Sequence, residues 1–310
     1  MSRPNSPTAC PPISHGRALF YVHIVALFFG IVGVIGHLIA ADAPAITLGR
    51  ALCAVLTLIG VGRLQRRPIL GVLTPAQIFV LVVTGCLLAA HWFTFFQGVK
   101  TGGIAVATLG FASFPAFTIL LEATLLREHT RKAEWLTVAL VTLGLILVTP
   151  AFSFANEGTV GLGWGVLSGL CFALLALGNR RGTVSLDPIQ VACWQNVVVT
   201  LVMLPAAAGP LADASALDWF WLAMLGVFCT GLAHFLFISS LAGIKASTAG
   251  TVIALEPVYG IAFAWLLFGQ EPTPRMLIGG AIVIAAIVWS GLRRSAAKTP
   301  LIRKMARHSK

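Results

Sequence analysis

At 310 residues, 58% hydrophobic and only 10% charged, with a mean hydropathy of +0.93, the chain lies far from the roughly 25% charged content of soluble domains and reads as an integral membrane protein. A formal charge of +11 and a pI near 10.1 would suit nucleic acid, but the basic residues fall in short clusters between apolar runs, with no aromatic interleaving and no nucleic-acid module. The cysteines at 10, 53, 86, 171, 193 and 229 show no C-x-x-C spacing and all but Cys10 fall inside apolar runs, so neither disulfides nor a metal site is expected.

A helix needs about 20 mainly apolar residues to cross the bilayer core, and that ruler predicts ten spanning helices. After a polar, Pro-rich tail (1–17), the first run covers 18–39, too long for the roughly 7–15-residue core of a signal peptide. The second, 44–63, carries Arg50 inside it. The third, 75–97, ends in HWFTFFQ, where Trp92, Phe95 and Phe96 share a face, as an interfacial aromatic belt or as the wall of a cavity. The fourth, 103–126, contains Pro115 and, near its end, Glu122. The fifth covers 133–152. In the sixth, 160–180, Gly161, Gly165 and Gly169 recur every fourth residue and predict close helix packing. The seventh and eighth, 188–207 and 217–242, follow, the latter with His234. The ninth, 246–268, places Glu256 and Pro257 side by side near its middle. The tenth, 274–292, leads into a basic tail, 293–310, without an obvious helical continuation and read as an orientation anchor. No length remains for a soluble domain.

Lysine and arginine mark the cytoplasmic side of membrane proteins. With both termini inside, 18 of the 21 lie on the inner side, including Arg63, Arg66, Arg67, Arg180, Arg181 and Lys245; only Lys100 and Arg275 lie outside, and Arg50 within a helix. The segment from His91 to Thr130 can be laid over that from His234 to Thr273. In each, a His opens the segment, a loop carries a Lys, a small-residue helix contains a central Pro, and a Glu follows it by 13 or 14 positions. Two repeats of five helices, 18–152 and 160–292, are expected; an odd number per repeat turns the second upside down, giving an all-α membrane protein of inverted repeats.

The block "ALEPVYGIAFAWLLFGQEPTPRMLIGGAIVIAAIVW", its weaker copy "FPAFTILLEATLLREHTRKAEWLTVALVTLGLILV" and the stretch "PAITLGRALCAVLTL" resemble the drug/metabolite transporter superfamily, specifically its ten-helix EamA type of exporter. The resemblance covers nearly the whole chain. It implies a cavity between two five-helix halves that opens alternately to each side, for export of small organic solutes such as amino acids. The first helix reads FFGIVGVIGHLI where such proteins often carry Trp-Gly, so that wall of the cavity is expected to differ.

Ionisable groups at membrane depth face a cavity or a partner. Glu256 is a candidate for a substrate amine or proton, or alternatively a paired structural carboxylate, and Pro257 frees the Ile253 carbonyl. Arg50, about 9 Å below the outer end of its helix at 1.5 Å per residue, is within reach of Glu256, Glu271 or Asp42 but not Glu122; it either forms a structural or gating ion pair or binds a carboxylate directly. Glu122 is expected to snorkel or pair locally. Trp92, Phe95, Phe96 and Tyr259 are further substrate-binding candidates, Pro115 and Pro257 helix-break residues, and His91 and His234 either proton relays or interhelical hydrogen bonds. No hydrolase, P-loop or dinucleotide-binding signature is found, so a secondary transporter in a bacterial inner membrane is expected, with a small-molecule metabolite and lipid as partners and possible proton coupling, no cofactor, no metal and no nucleic acid. A carrier of sugar- or nucleotide-related solutes and a membrane-embedded transferase are the alternatives.

Overall fold

The computed structural model describes residues 13–151, 153–183, 185–240, 243–244, 246–253 and 255–308, with side chains to residue 291 apart from 238, 246, 247, 250 and 251. Cys10, Arg3, Lys245 and the charges of the basic tail lie outside the described residues. The order is α1 (His15–Leu38), α2 (Ala43–Leu64), α3 (Pro75–Gly102), α4 (Ile104–Phe111), α5 (Phe114–Thr124), α6 (Lys132–Val148), α7 (Glu157–Gly182), α8 (Pro188–Ala212), α9 (Ala216–Gly226), a π-helical segment (Val227–Leu232), α10 (Ala233–Ser240), α11 (Ala246–Ile253), α12 (Glu256–Phe268) and α13 (Pro274–His308). Among the described residues there is no strand.

Local chemistry sets the boundaries. Asp42, Asn156 and Asp187 each accept a backbone N–H of the first turn that follows, and Thr74 with Gln77 and Ser215 with Asp218 close capping boxes. α12 stops at Gly269, whose φ of +64° places it in the left-handed region.

The two prolines named as helix-break residues each stand at the start of a new helix, after the preceding one has ended. A proline has no N–H and its ring meets the carbonyl four residues back; Phe111 and Ile253, four residues before Pro115 and Pro257, are the last residues of α4 and α11. α13 continues to His308 instead of stopping near 292, because RRSAAKT contains no glycine and favours helix. Among the described residues eight stretches are long and apolar enough to cross a membrane, which makes the chain a multi-pass membrane protein. The expected segments 133–152 and 246–268 appear as the 17-residue α6 and as α11 plus α12.

α7 packs along α3 and α4, α2 along α8, α6 against α13, and α1 against α12 and α10. The glycines of α7 lie in this packing as expected: a Cβ on Gly165 would meet the Ala107 carbonyl at 2.5 Å, and one on Gly169 the Phe111 carbonyl at 3.0 Å. One end of the bundle gathers the arginines. There Arg67 pairs with Asp187 at 3.3 Å, and Arg180 with Glu122 at 2.6 Å and Glu128 at 2.7 Å. The Glu122 pairing crosses from α5 to α7, joining elements distant in sequence. Because the Arg180 side chain is half exposed, Arg180→Ala is expected to cost at most about 1 kcal/mol, read as a small change in the melting temperature of the purified protein.

The opposite end is tightly closed. Asp218, on α9, accepts the Ala40 N–H at 2.7 Å; Lys100, on α3, donates to the Ile39 carbonyl; His37 stands edge-on to Phe268 at 4.8 Å between centroids.

Candidate functional site

A cavity of about 620 Å³ lies inside the bundle. It begins at Arg50, Trp92 and Glu256 and reaches Thr183, Leu186 and Pro188 at the arginine-rich end. Its walls are mainly apolar and include an aromatic group, Phe111, Phe114 and Phe172, in mutual contact at 5.1–5.4 Å between centroids.

Arg50 is 5% exposed. Its guanidinium lies over the Trp92 ring, 4.0 Å from the centroid, with Phe96 at 5.9 Å, an arrangement in which the ring quadrupole attracts the cation. Its Nε donates to Thr230 Oγ1 at 3.0 Å, and Thr230 Oγ1 in turn donates to the Leu225 carbonyl, five residues back. That i−5 bond belongs to the π-helical segment, which re-aims one residue of an otherwise α-helical run. The segment can approach α2 because Gly226 and Gly231 face it: a Cβ on Gly226 would lie 2.8 Å from the Arg50 carbonyl.

The expected Arg50 ion pair is absent: among the described residues no ion pair joins it to Glu256, Asp42 or Glu271. Asp42 is occupied as the cap of α2. Glu256 lines the same cavity, so a guanidinium and a carboxyl group share one chamber without an ion pair between them. A guanidinium and a carboxyl group held apart in one chamber can take the carboxylate and the ammonium of a zwitterion.

Trp92, Phe95 and Phe96 are buried, which overturns the interfacial-belt reading. Trp92 and Phe95 line the cavity; Phe96 lies behind, where a Cβ on Gly36 would fall 2.6 Å from its ring. Tyr259 is not among the lining residues: α1 approaches so closely that a Cβ on Gly30 would fall 2.5 Å from the Tyr259 Cβ, placing this residue in the α1–α12 contact. Pro257 lines the cavity and Pro115 does not.

His91 lines the cavity from α3 and forms an interhelical bond: Nδ1 lies 2.7 Å from Ser168 Oγ, and Ser168 Oγ donates to the His91 carbonyl at 3.0 Å. Because that hydroxyl proton is used on the carbonyl, Nδ1 carries the hydrogen and donates to Ser168 Oγ. His234, at the matching position on α10, also lines the cavity, and its Nε2 is buried with no hydrogen-bond partner among the described residues.

The structure adds a polar group that the search for charges passed over. Gln195 Nε2 donates to Thr84 Oγ1 at 2.8 Å and to Asn179 Oδ1 at 2.7 Å, tying α8 to α3 and α7. Asn196 lies beside it on the lining face of α8. The sequence signal was three carboxamides, Gln190, Gln195 and Asn196, within one apolar helix.

Comparison with known proteins adds the following. The sequence profile described as the EamA-like transporter family matches residues 16–149 and again 159–292. A protein named "Uncharacterized transporter" from Vibrio cholerae serotype O1 is 29% identical over 244 residues, 74% of this chain and 76% of that one. An S-adenosylmethionine uptake transporter of Rickettsia bellii is 24% identical over 211 residues, 68% and 72% of the two chains. A solved structure described as "Crystal structure of protein" has a TM-score of 0.62 at 19% identity, covering 91% of this chain and 99% of that one; at that identity it speaks for the fold alone.

Proposed function

The chain belongs to the EamA-like transporter family, and from that premise we propose that it is a secondary transporter of small zwitterionic metabolites, amino acids and their relatives, working by alternating access as an exporter. The observation that carries this reading is the placement of Arg50 and Glu256 in one aromatic cavity without an ion pair between them. A guanidinium whose only hydrogen bond among the described residues is that of Nε retains its terminal N–H groups for a carboxylate. The carboxylate of Glu256 takes the ammonium. A neutral sugar carries neither a carboxylate for Arg50 nor an ammonium for Glu256. S-adenosylmethionine, in the name of one relative, unites an amino-acid group with a heteroaromatic ring, the same combination of charges and ring that this chamber suits.

In this reading ten segments cross the membrane as two inverted five-helix repeats, 18–152 and 160–292. The two family matches and the corresponding proline breaks after Phe111 and Ile253 support that arrangement. Under the positive-inside rule the arginine-rich end is cytoplasmic, in a bacterial inner membrane, so the cavity opens inward and the seal around Lys100 and Asp218 is the gate on the far side. His91, His234 and Glu256 are the groups available for proton coupling.

The test is counterflow in proteoliposomes preloaded with pooled amino acids and related metabolites, read by mass spectrometry with and without a pH gradient. Selective exchange of zwitterions is expected; exchange confined to neutral or singly charged solutes would remove the proposal. Glu256→Gln keeps the shape and removes the charge. It is expected to insert normally but to slow exchange of amine-bearing solutes at least tenfold, and unchanged exchange with an unchanged pH response would take Glu256 out of the site.

A further inference from the structure

We infer that Asn196 is a specificity-determining residue of the cavity, its side-chain oxygen accepting a hydrogen bond from a donor at the end of the solute remote from the amino-acid group. This deepens the zwitterion reading and rests on it.

The orientation of the Asn196 amide is fixed by its partner. Nδ2 donates to the Ala192 carbonyl at 2.8 Å, so the other terminal atom is the oxygen, a pure acceptor. Asn196 is 2% exposed, lines the cavity, and its Oδ1 accepts no hydrogen bond among the described residues. Buried carbonyl oxygens are nearly always paired, and one left unpaired beside a cavity marks a place for a ligand donor. The neighbouring Gln195 is committed to Thr84 and Asn179, which holds this turn of α8 in place. Asn196 is thus positioned and unfilled while the residue beside it is not.

Depth places it apart from the charged pair. A Cβ on Gly62 would lie 3.6 Å from the Ile189 side chain, so these residues share a level near the arginine-rich end. At 1.5 Å per residue, Asn196 lies about 11 Å further in along α8 and Arg50 about 18 Å along α2, a separation of roughly 7 Å in depth. A solute held at its carboxylate by Arg50 therefore extends through the same cavity toward Asn196. A ring N–H, phenol or amide N–H satisfies the oxygen; a methyl in its place leaves the oxygen dry and unpaired. Sites built to meet a polar group reject the analogue that lacks it.

The probes are two matched pairs of zwitterions, tyrosine with O-methyltyrosine and tryptophan with 1-methyltryptophan, each competing in counterflow with the full-length protein in proteoliposomes. The wild type is expected to exchange the donor-bearing member about tenfold better or more. Asn196→Val removes the oxygen and leaves the Ala192 carbonyl its helical N–H; it is expected to exchange both members alike. Asn196→Ser, which keeps a hydroxyl oxygen, is expected to restore part of the preference. A wild type that moves both members equally, or a valine variant that keeps the preference, overturns the role of Asn196 while leaving the zwitterion reading standing; the wild-type arm does not depend on any variant folding. If the wild type moves neither member of either pair but exchanges solutes that are not zwitterions, the zwitterion reading fails and this inference falls with it.

Discussion

Replacing Arg50 by glutamine is expected to slow exchange of carboxylate-bearing solutes a hundredfold or more while leaving the protein folded and inserted. Two charge-assisted hydrogen bonds from the guanidinium fork contribute about 1.5–3 kcal/mol each, and a factor of ten corresponds to about 1.4 kcal/mol, so losing both exceeds two orders of magnitude. Stability should respond differently. Removing one member of a buried ion pair leaves an uncompensated charge and costs about 3–5 kcal/mol, but no ion pair holds Arg50 among the described residues, so the cost is expected to fall below that range. What is lost is the contact with the Trp92 ring and one hydrogen bond to Thr230, which loses its donor but keeps its own bond to Leu225. Arg50→Lys is expected to recover little, because an ammonium has neither the planar face that lies on Trp92 nor the fork that meets two oxygens. Counterflow and a melting curve on the same preparations separate the two effects. Retained carboxylate exchange in the glutamine variant, or a lysine variant as active as the wild type, would show that Arg50 does not read the solute.

The same residue shows what the sequence conveys and where it stops. Hydropathy gave the depth of Arg50, because helix rise turns a residue number into a height, and set Glu122, which pairs with Arg180, at another level. Depth says nothing about direction around the helix axis. Trp92 came from the third predicted helix and Thr230 from a π-helical segment, and neither the face of a uniformly apolar helix nor a local change of winding leaves a periodic trace. The prolines were visible, as was the Ile253 carbonyl, because a missing N–H and a ring clash one turn back are local properties of the residue. Tyr259 fell out of the cavity for a related reason: a glycine on α1, read as an ordinary member of an apolar run, let that helix reach it. The amide group of α8 carries no charge and so leaves a weaker mark in an apolar sequence, although a carboxamide in hydrocarbon also requires partners.

The glycine ridge was legible from spacing alone, and it carries the larger structural prediction. Gly161→Ala is expected to destabilise the protein by more than about 3 kcal/mol, with loss of folded yield, because overpacking is costly where nothing can move aside. A Cβ there would fall on the Gly102 Cα and lie 2.6 Å from the Gly102 nitrogen and 3.0 Å from the Gly98 carbonyl, all of them backbone atoms. α3 and α7 would have to separate along the seam that also carries the bonds between Ser168 and His91, so the wall of the cavity should shift with them. Gly163, on the same helix, is the control: a Cβ there meets nothing within 4 Å, so Gly163→Ala should be neutral or stabilise by up to about 1 kcal/mol through helix propensity alone. A melting series on the two variants decides the matter. Equal behaviour would mean that the close approach of α3 and α7 does not exist in the membrane, whereas a large loss at 161 with none at 163 places the two matched halves in backbone contact there and makes that seam the surface about which any rocking between them must be accommodated.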